Sequence, residues 1–216
     1  TGLTRQNWKS AVLIVLAFVG IYIVRTVVSV AVQGVSDGSG MQHVKEWAAM
    51  FKNPMMWLNI AALPINYFFV FIAFFGEEYG WRYYLQPVLQ KRFGLRAGVI
   101  ILGVVWGLWH IPDDLFYYTQ TSGIQMIFAQ QITCISLGIF FAYAYMKTQN
   151  IWVPVCLHYL NNNLIPIISG TFSADVLENQ TVSWKDLPVA LVLNGLCFGF
   201  FLLADVFKKK EVQEEE

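Results

Sequence analysis

The sequence predicts an all-α fold, a polytopic transmembrane bundle of about six membrane helices, and three observations carry that prediction. Of 216 residues, 56% are hydrophobic and only 13% are charged, whereas soluble domains use about a quarter charged residues. Mean hydropathy is +0.51. Apolar runs of bilayer length recur along the chain, separated by short polar connections, and roughly 20 apolar residues suffice for one crossing. Lys+Arg and Asp+Glu both number 14, so no basic surplus points to nucleic acid. Residues 1–216 read as a single integral membrane domain, without a repeat, a low-complexity linker or a second domain.

The chain opens on Thr1 rather than Met, so N-terminal residues are expected to be missing. The first apolar run is too long for a signal peptide and lacks a small-residue cleavage site. Residues 11–32 form the first membrane helix, interrupted by Arg25. Snorkelling to the interface and pairing inside the bundle are both open to that arginine. Residues 33–52 read as a polar connection ending in a surface helix, with His43 as a solvated loop residue. Residues 54–92 are too long for one perpendicular span. Gly94 and Arg96 mark a turn, and residues 97–117 form the third helix, with a kink expected at Pro112. Residues 124–146 and 151–168 are the fourth and fifth helices, joined by a tight connection. Residues 169–186 read as a polar loop, and residues 187–207 as the sixth helix. The Lys and Arg of the short loops (Arg92, Arg96 and Lys147 among them) fall mostly on one side, which places both termini in the cytoplasm. The expected location is the bacterial plasma membrane.

Charged groups at bilayer depth are expensive and therefore mark function by default. Glu77, Glu78 and Arg82 follow an uncharged apolar run. Glu78 and Arg82 are i,i+4 and share a helix face, as do Trp106 and His110, and His158 and Asn162. Glu77 is turned about 100° from Glu78, so the two carboxylates cannot do the same job. One can face a cavity while the other pairs with Arg82. Measured from their shared turn, Glu77 and His110 lie at depths of about 24 and 21 Å, at 1.5 Å per residue. His158 and Asn162 lie about 12 and 18 Å past the connection before them. One polar layer inside the bundle can hold all four.

A carboxylate and an imidazole facing a buried water are the parts of a hydrolase. A second imidazole and an amide on one helix face can donate to the oxyanion that forms when water adds to a peptide carbonyl. Other mechanisms fit worse. No HExxH helix is present, and no GxSxG. Asp113 and Asp114 are adjacent and read as a helix end. Ser136 is expected to bond its own backbone. Cys134, Cys156 and Cys197 read as small buried hydrophobes. Zinc held by Glu77, His110 and His158 is the minority alternative to a site without metal.

Glu77-Glu78-x-x-x-Arg82, then Trp106-x-x-x-His110, then His158-x-x-x-Asn162, in this order on successive membrane helices, resembles the CPBP family of intramembrane proteases. That family includes type II CaaX prenyl endopeptidases and proteins of bacteriocin self-immunity. The resemblance spans residues 54–168, and Trp106 stands where phenylalanine is usual. It implies a glutamate-dependent endopeptidase without a required cofactor. Glu77 and His110 would activate water, His158 and Asn162 would stabilise the oxyanion, and Glu78 and Arg82 would support them. The implied partners are a membrane-associated peptide or prenylated protein and the lipid bilayer. A non-catalytic immunity or scaffold protein, holding a peptide in the same cavity, is the alternative.

Overall fold

The computed structural model describes residues 7–38, 40–169 and 178–208. Residues 1–6, residues 170–177 of the loop expected over 169–186, the C-terminal residues 209–216 and the His43 side chain lie outside the described residues. Helices make up nearly all of the remainder, with no strand among the described residues. The elements are α1 (Trp8–Asp37), α2 (Gly40–Lys52), α3 (Pro54–Glu78), α4 (Gln86–Phe93), α5 (Leu95–Trp109), α6 (Ile111–Phe116), α7 (Gly123–Thr148), α8 (Trp152–Ser169) and α9 (Asp186–Cys197).

Four segments are long and apolar enough to cross a bilayer: Trp8–Val32, Pro54–Phe93, Leu95–Phe116 and Gly123–Thr148. Large side chains such as Phe68, Phe69 and Ile72 stand more than 70% exposed on α3, as a lipid-facing surface requires. The chain is an integral membrane protein. Helix α8 has 18 residues but carries His158 and three asparagines, which dilute its apolarity. The sixth helix departs from expectation. It ends at Cys197 and continues as 3₁₀ turns, Gly199–Leu203 and Asp205–Phe207. Gly195 and Gly199 weaken helix there. Phe198 leaves helical geometry at φ −121 and buries its ring against Phe18, Tyr22 and Phe140.

The path from α3 to α4 is one continuous rod, Pro54–Phe93, with a π-helical stretch, Tyr79–Leu85, in its middle. Pro87 explains part of it. A proline there has no N–H for the carbonyl four residues back and crowds it, and a wider turn relieves both. The Gln86 N–H accordingly reaches the Trp81 carbonyl, five residues back. Wide turns of this kind occur mostly as single bulges, often at functional sites.

Helices α5 and α7 approach through glycine. A Cβ on Gly103 would stand 2.6 Å from the Ile135 Cα. Small residues permit such close backbone contact where no hydrophobic effect drives helices together. The seam is also stitched: Gln131 Nε2 donates to the Gly103 and Val104 carbonyls at 3.3 and 3.4 Å. Beside it, Phe18, Phe140, Phe141 and Leu157 join α1, α7 and α8 in one buried cluster. Arg25 pairs inside the bundle, with Nε donating to Asn194 Oδ1 at 3.0 Å. Ser136 donates to its own helix at the Ile132 carbonyl.

Candidate active site

Glu78 and Arg82 sit at the entry to the π-helical stretch, and both are fully buried. Arg82 Nη1 donates to Glu78 Oε1 at 3.1 Å, and His158 Nδ1 reaches the same oxygen at 2.9 Å. Two cationic or hydrogen-bearing groups thus converge on one carboxylate oxygen. Burial makes this pairing consequential, because a charge left alone at such a site costs several kcal/mol. The guanidinium also lies 4.5 Å over the Trp106 ring and 5.1 Å over that of Phe141. Aromatic faces are good partners for a desolvated cation.

Trp106 is the hub of the site. Its ring centroid lies 5.7 Å from that of His110 and 5.4 Å from that of His158. The two histidines, 48 positions apart in sequence, therefore share one indole. His110 occupies the break between α5 and α6, where Pro112 starts the new helix. There its Nδ1 lies 2.8 Å from the Trp106 carbonyl. A carbonyl only accepts, so His110 Nδ1 carries the hydrogen, and in the neutral ring Nε2 then presents a lone pair. By the same reasoning His158 Nδ1 donates to Glu78, and its Nε2 faces away from the ion pair.

Glu77 takes the other direction. It lines an open pocket of about 420 Å³ with Gly76, Gly80, Trp81, Tyr84, Leu85 and Trp109. The Trp109 ring packs 5.1 Å from His110, so one wall of that pocket backs onto the imidazole. Glu77 Oε2, Glu78 Oε2, and Arg82 Nε and Nη2 are buried without a hydrogen-bond partner among the described residues. Each such group costs about 1–3 kcal/mol unless a ligand or solvent satisfies it.

Asn162 stands apart. It lines a second open pocket, of about 600 Å³, between α3 and α8. Its Oδ1 accepts from Asn161 Nδ2 at 2.9 Å. The structure thus joins Glu78, Arg82 and His158 by hydrogen bonds and brings His110 to them through Trp106. It opens Glu77 and Asn162 onto separate pockets. Among the described residues no group of three His, Cys, Asp or Glu side chains is gathered at metal-ligand spacing.

Sequence reasoning passed over two neighbours. Cys134 is buried, with Sγ 3.8 Å from His110 Nδ1. Asp114 stands at a helix end as expected, in the first turn of α6, but it is also fully buried, and neither carboxylate oxygen has a partner among the described residues. Its i,i+4 spacing from His110 was the signal available.

The fold and site define a class: a helical membrane protein whose polar core is a buried carboxylate–guanidinium–imidazole network. Comparison with known proteins narrows it. The family described as type II CAAX prenyl endopeptidase Rce1-like matches residues 57–164. The chain belongs to this family. It is similar to CAAX prenyl protease 2 of Methanococcus maripaludis, 27% identical over 125 residues, or 54% of this chain. The chain spans 45% of that relative's length. No solved structure matches it.

Proposed function

We propose that the protein is an intramembrane endopeptidase, with no metal in its mechanism, that cleaves membrane-associated peptides, prenylated CaaX-type peptides foremost. One observation carries the assignment of roles: the two adjacent glutamates have opposite surroundings. Glu78 is engaged through Oε1 by both Arg82 and His158, whereas Glu77 lines an open pocket.

Glu77 is then the base. It takes a proton from water as the water oxygen bonds to the scissile carbonyl carbon, and His110 Nε2 accepts a hydrogen bond that orients the water. The carbonyl electrons move onto oxygen. His158 and, once the bound substrate joins the two pockets, the Asn162 amide donate to that oxyanion. For His158 to donate through Nε2 its ring must be imidazolium, because Nδ1 already gives its hydrogen to Glu78. Glu78 and Arg82 together with Glu77 leave one net negative charge, which an imidazolium balances. Collapse of the intermediate breaks the C–N bond, and the proton held by Glu77 passes to the departing amine.

The test is cleavage of a panel of prenylated and unmodified membrane peptides by purified protein in liposomes. Glu77→Gln keeps the shape and removes the base; its cleavage is expected to fall at least about 100-fold, within the range of general base catalysis. His110→Ala is expected to fall similarly, and a strong chelator to change nothing. Activity lost with chelator and restored by zinc would turn the same side chains into ligands. A folded wild type that binds a peptide but cleaves none would point to a scaffold.

A further inference from the structure

The pocket that holds Asn162 contains more amide than one catalytic donor needs. Asn59 and Asn66 on α3 face Asn162 and Asn163 on α8 across it, with Leu63 and Ile167 among its apolar walls. Asn66 and Asn162 are exposed, and Asn59 and Asn163 half-buried. Within a membrane-spanning segment, hydrocarbon offers such groups no hydrogen bonds, and unsatisfied polar groups there cost several kcal/mol each. Internal bonds account for some of them, one of which joins the Asn66 side chain to Tyr159. Asn66 Nδ2 reaches Asn163 Oδ1 at 3.3 Å, and Asn163 Nδ2 donates to the Tyr159 carbonyl at 2.9 Å. Asn162 accepts from Asn161, which leaves its own amide hydrogens unused among the described residues.

The placement has a direction. Asn59 and Asn66 are seven residues apart, which returns α3 to within about 20° of the same face. Glu77 lies eleven residues beyond Asn66, again within about 20° and roughly 17 Å further along the axis. On α8, Asn162 and His158 share a face at i,i+4. The asparagine groove therefore runs, on both helices, toward the catalytic layer. Its lining is neutral. A carboxamide donates and accepts at once, matching a peptide bond and neither an anion nor a plain acyl chain.

We infer that the groove formed by Asn59, Asn66, Asn162 and Asn163 binds the extended backbone of the substrate peptide and guides it toward Glu77. This rests on the endopeptidase reading and extends it: Asn59, Asn66 and Asn163 become positioning residues that grip main chain rather than side chains. Sequence tolerance among substrates follows, since every peptide offers the same backbone.

The experiment measures binding on the Glu77→Gln protein in nanodiscs, so that cleavage does not deplete the probe. The probe is a fluorescent farnesylated peptide, compared with analogues carrying one N-methylated backbone amide each. Asn59→Ala and Asn66→Ala are expected to weaken binding about five- to tenfold, the value of one hydrogen bond. The penalty for N-methylation at one position should also vanish in the variant that lost its partner. Phe68→Ala, on the lipid face of the same helix, should change neither quantity. Unaltered affinity and N-methyl sensitivity in both asparagine variants would overturn the groove, even if Glu77→Gln has abolished cleavage as expected. Binding insensitive to every N-methyl group would overturn it too, assigning the pocket to the prenyl chain. Conversely, if the Glu77→Gln protein still cleaves while binding depends on the amides, the groove stands and the role of Glu77 falls.

Discussion

Helices meet in two contrasting ways in this molecule. At the seam between α5 and α7, glycine lets the backbones touch, and Gln131 stitches one helix to the carbonyls of the other. At the groove between α3 and α8, asparagines stand around an open pocket of about 600 Å³. The seam carries His110 at its end and packs Trp106 against both imidazoles. The groove carries no part of the ion pair. The difference teaches a division of labour. The tight contact fixes the angle of the indole against the two imidazoles, and the loose one leaves an open volume.

Removing the charge at the centre of the rigid half gives the largest expected effect. Arg82→Ala leaves Glu78 buried with only His158 on its oxygen. The expected loss is about 3–5 kcal/mol, the usual cost of an abandoned buried partner, read from reversible unfolding in mixed SDS micelles. Arg82→Lys should recover only part of it, because an ammonium lacks the flat face that lies over Trp106. A loss below about 1 kcal/mol would mean the network is not held rigidly at all.

The next effect tests the seam alone. Gly103→Ala places a Cβ 2.6 Å from the Ile135 Cα, and backbone cannot swing aside. Separating the helices is expected to cost about 1–3 kcal/mol, with activity falling further than stability because His110 moves with α5. Gly138→Ala is the matched control on the opposite wall. Its new methyl would meet the Gly103 Cα at 3.5 Å, an ordinary contact, and the gain in helix propensity of about 1 kcal/mol offsets any crowding. Equal destabilisation by both would remove the seam's claim to be the tighter contact.

These two regions were not equally legible in the sequence. The ion pair was, because Glu78 and Arg82 are spaced at i,i+4 and the turn between them is short enough to survive the π-helical stretch. The opposite facing of Glu77 followed from the helical period. The meeting of His158 with Glu78 is a long-range contact that spacing could not assign, so His158 was read as an oxyanion donor or, in the minority alternative, a zinc ligand. Asp114 does stand at a helix end, but its burial was not legible, because local sequence does not report what packs over a short helix. The groove was missed for a further reason. Asn59 and Asn66 are seven residues apart among apolar neighbours, and only the approach of α8 turns two isolated amides into one lining. The sixth helix was overextended because alternating aromatic and glycine residues keep an apolar average while weakening the helix itself.

The smallest expected effect is the one that separates the two regions most cleanly. Asn66→Ala removes a side chain at an exposed position whose bond to Asn163 is a long one, 3.3 Å, and which also bonds Tyr159. If the groove exists to admit a ligand, its amides are not what holds α3 to α8. Packing by Met56, Leu63, Tyr159 and Leu164 does that, with the Tyr159 hydroxyl donating to the Leu63 carbonyl at 2.7 Å. Unfolding of the ligand-free variant should therefore shift by less than about 0.5 kcal/mol, the range of exposed substitutions, while Gly103→Ala shifts severalfold more. A shift above about 1 kcal/mol would make the asparagines interhelical glue of the ordinary membrane kind. The contrast between seam and groove would then collapse into two versions of one structural contact.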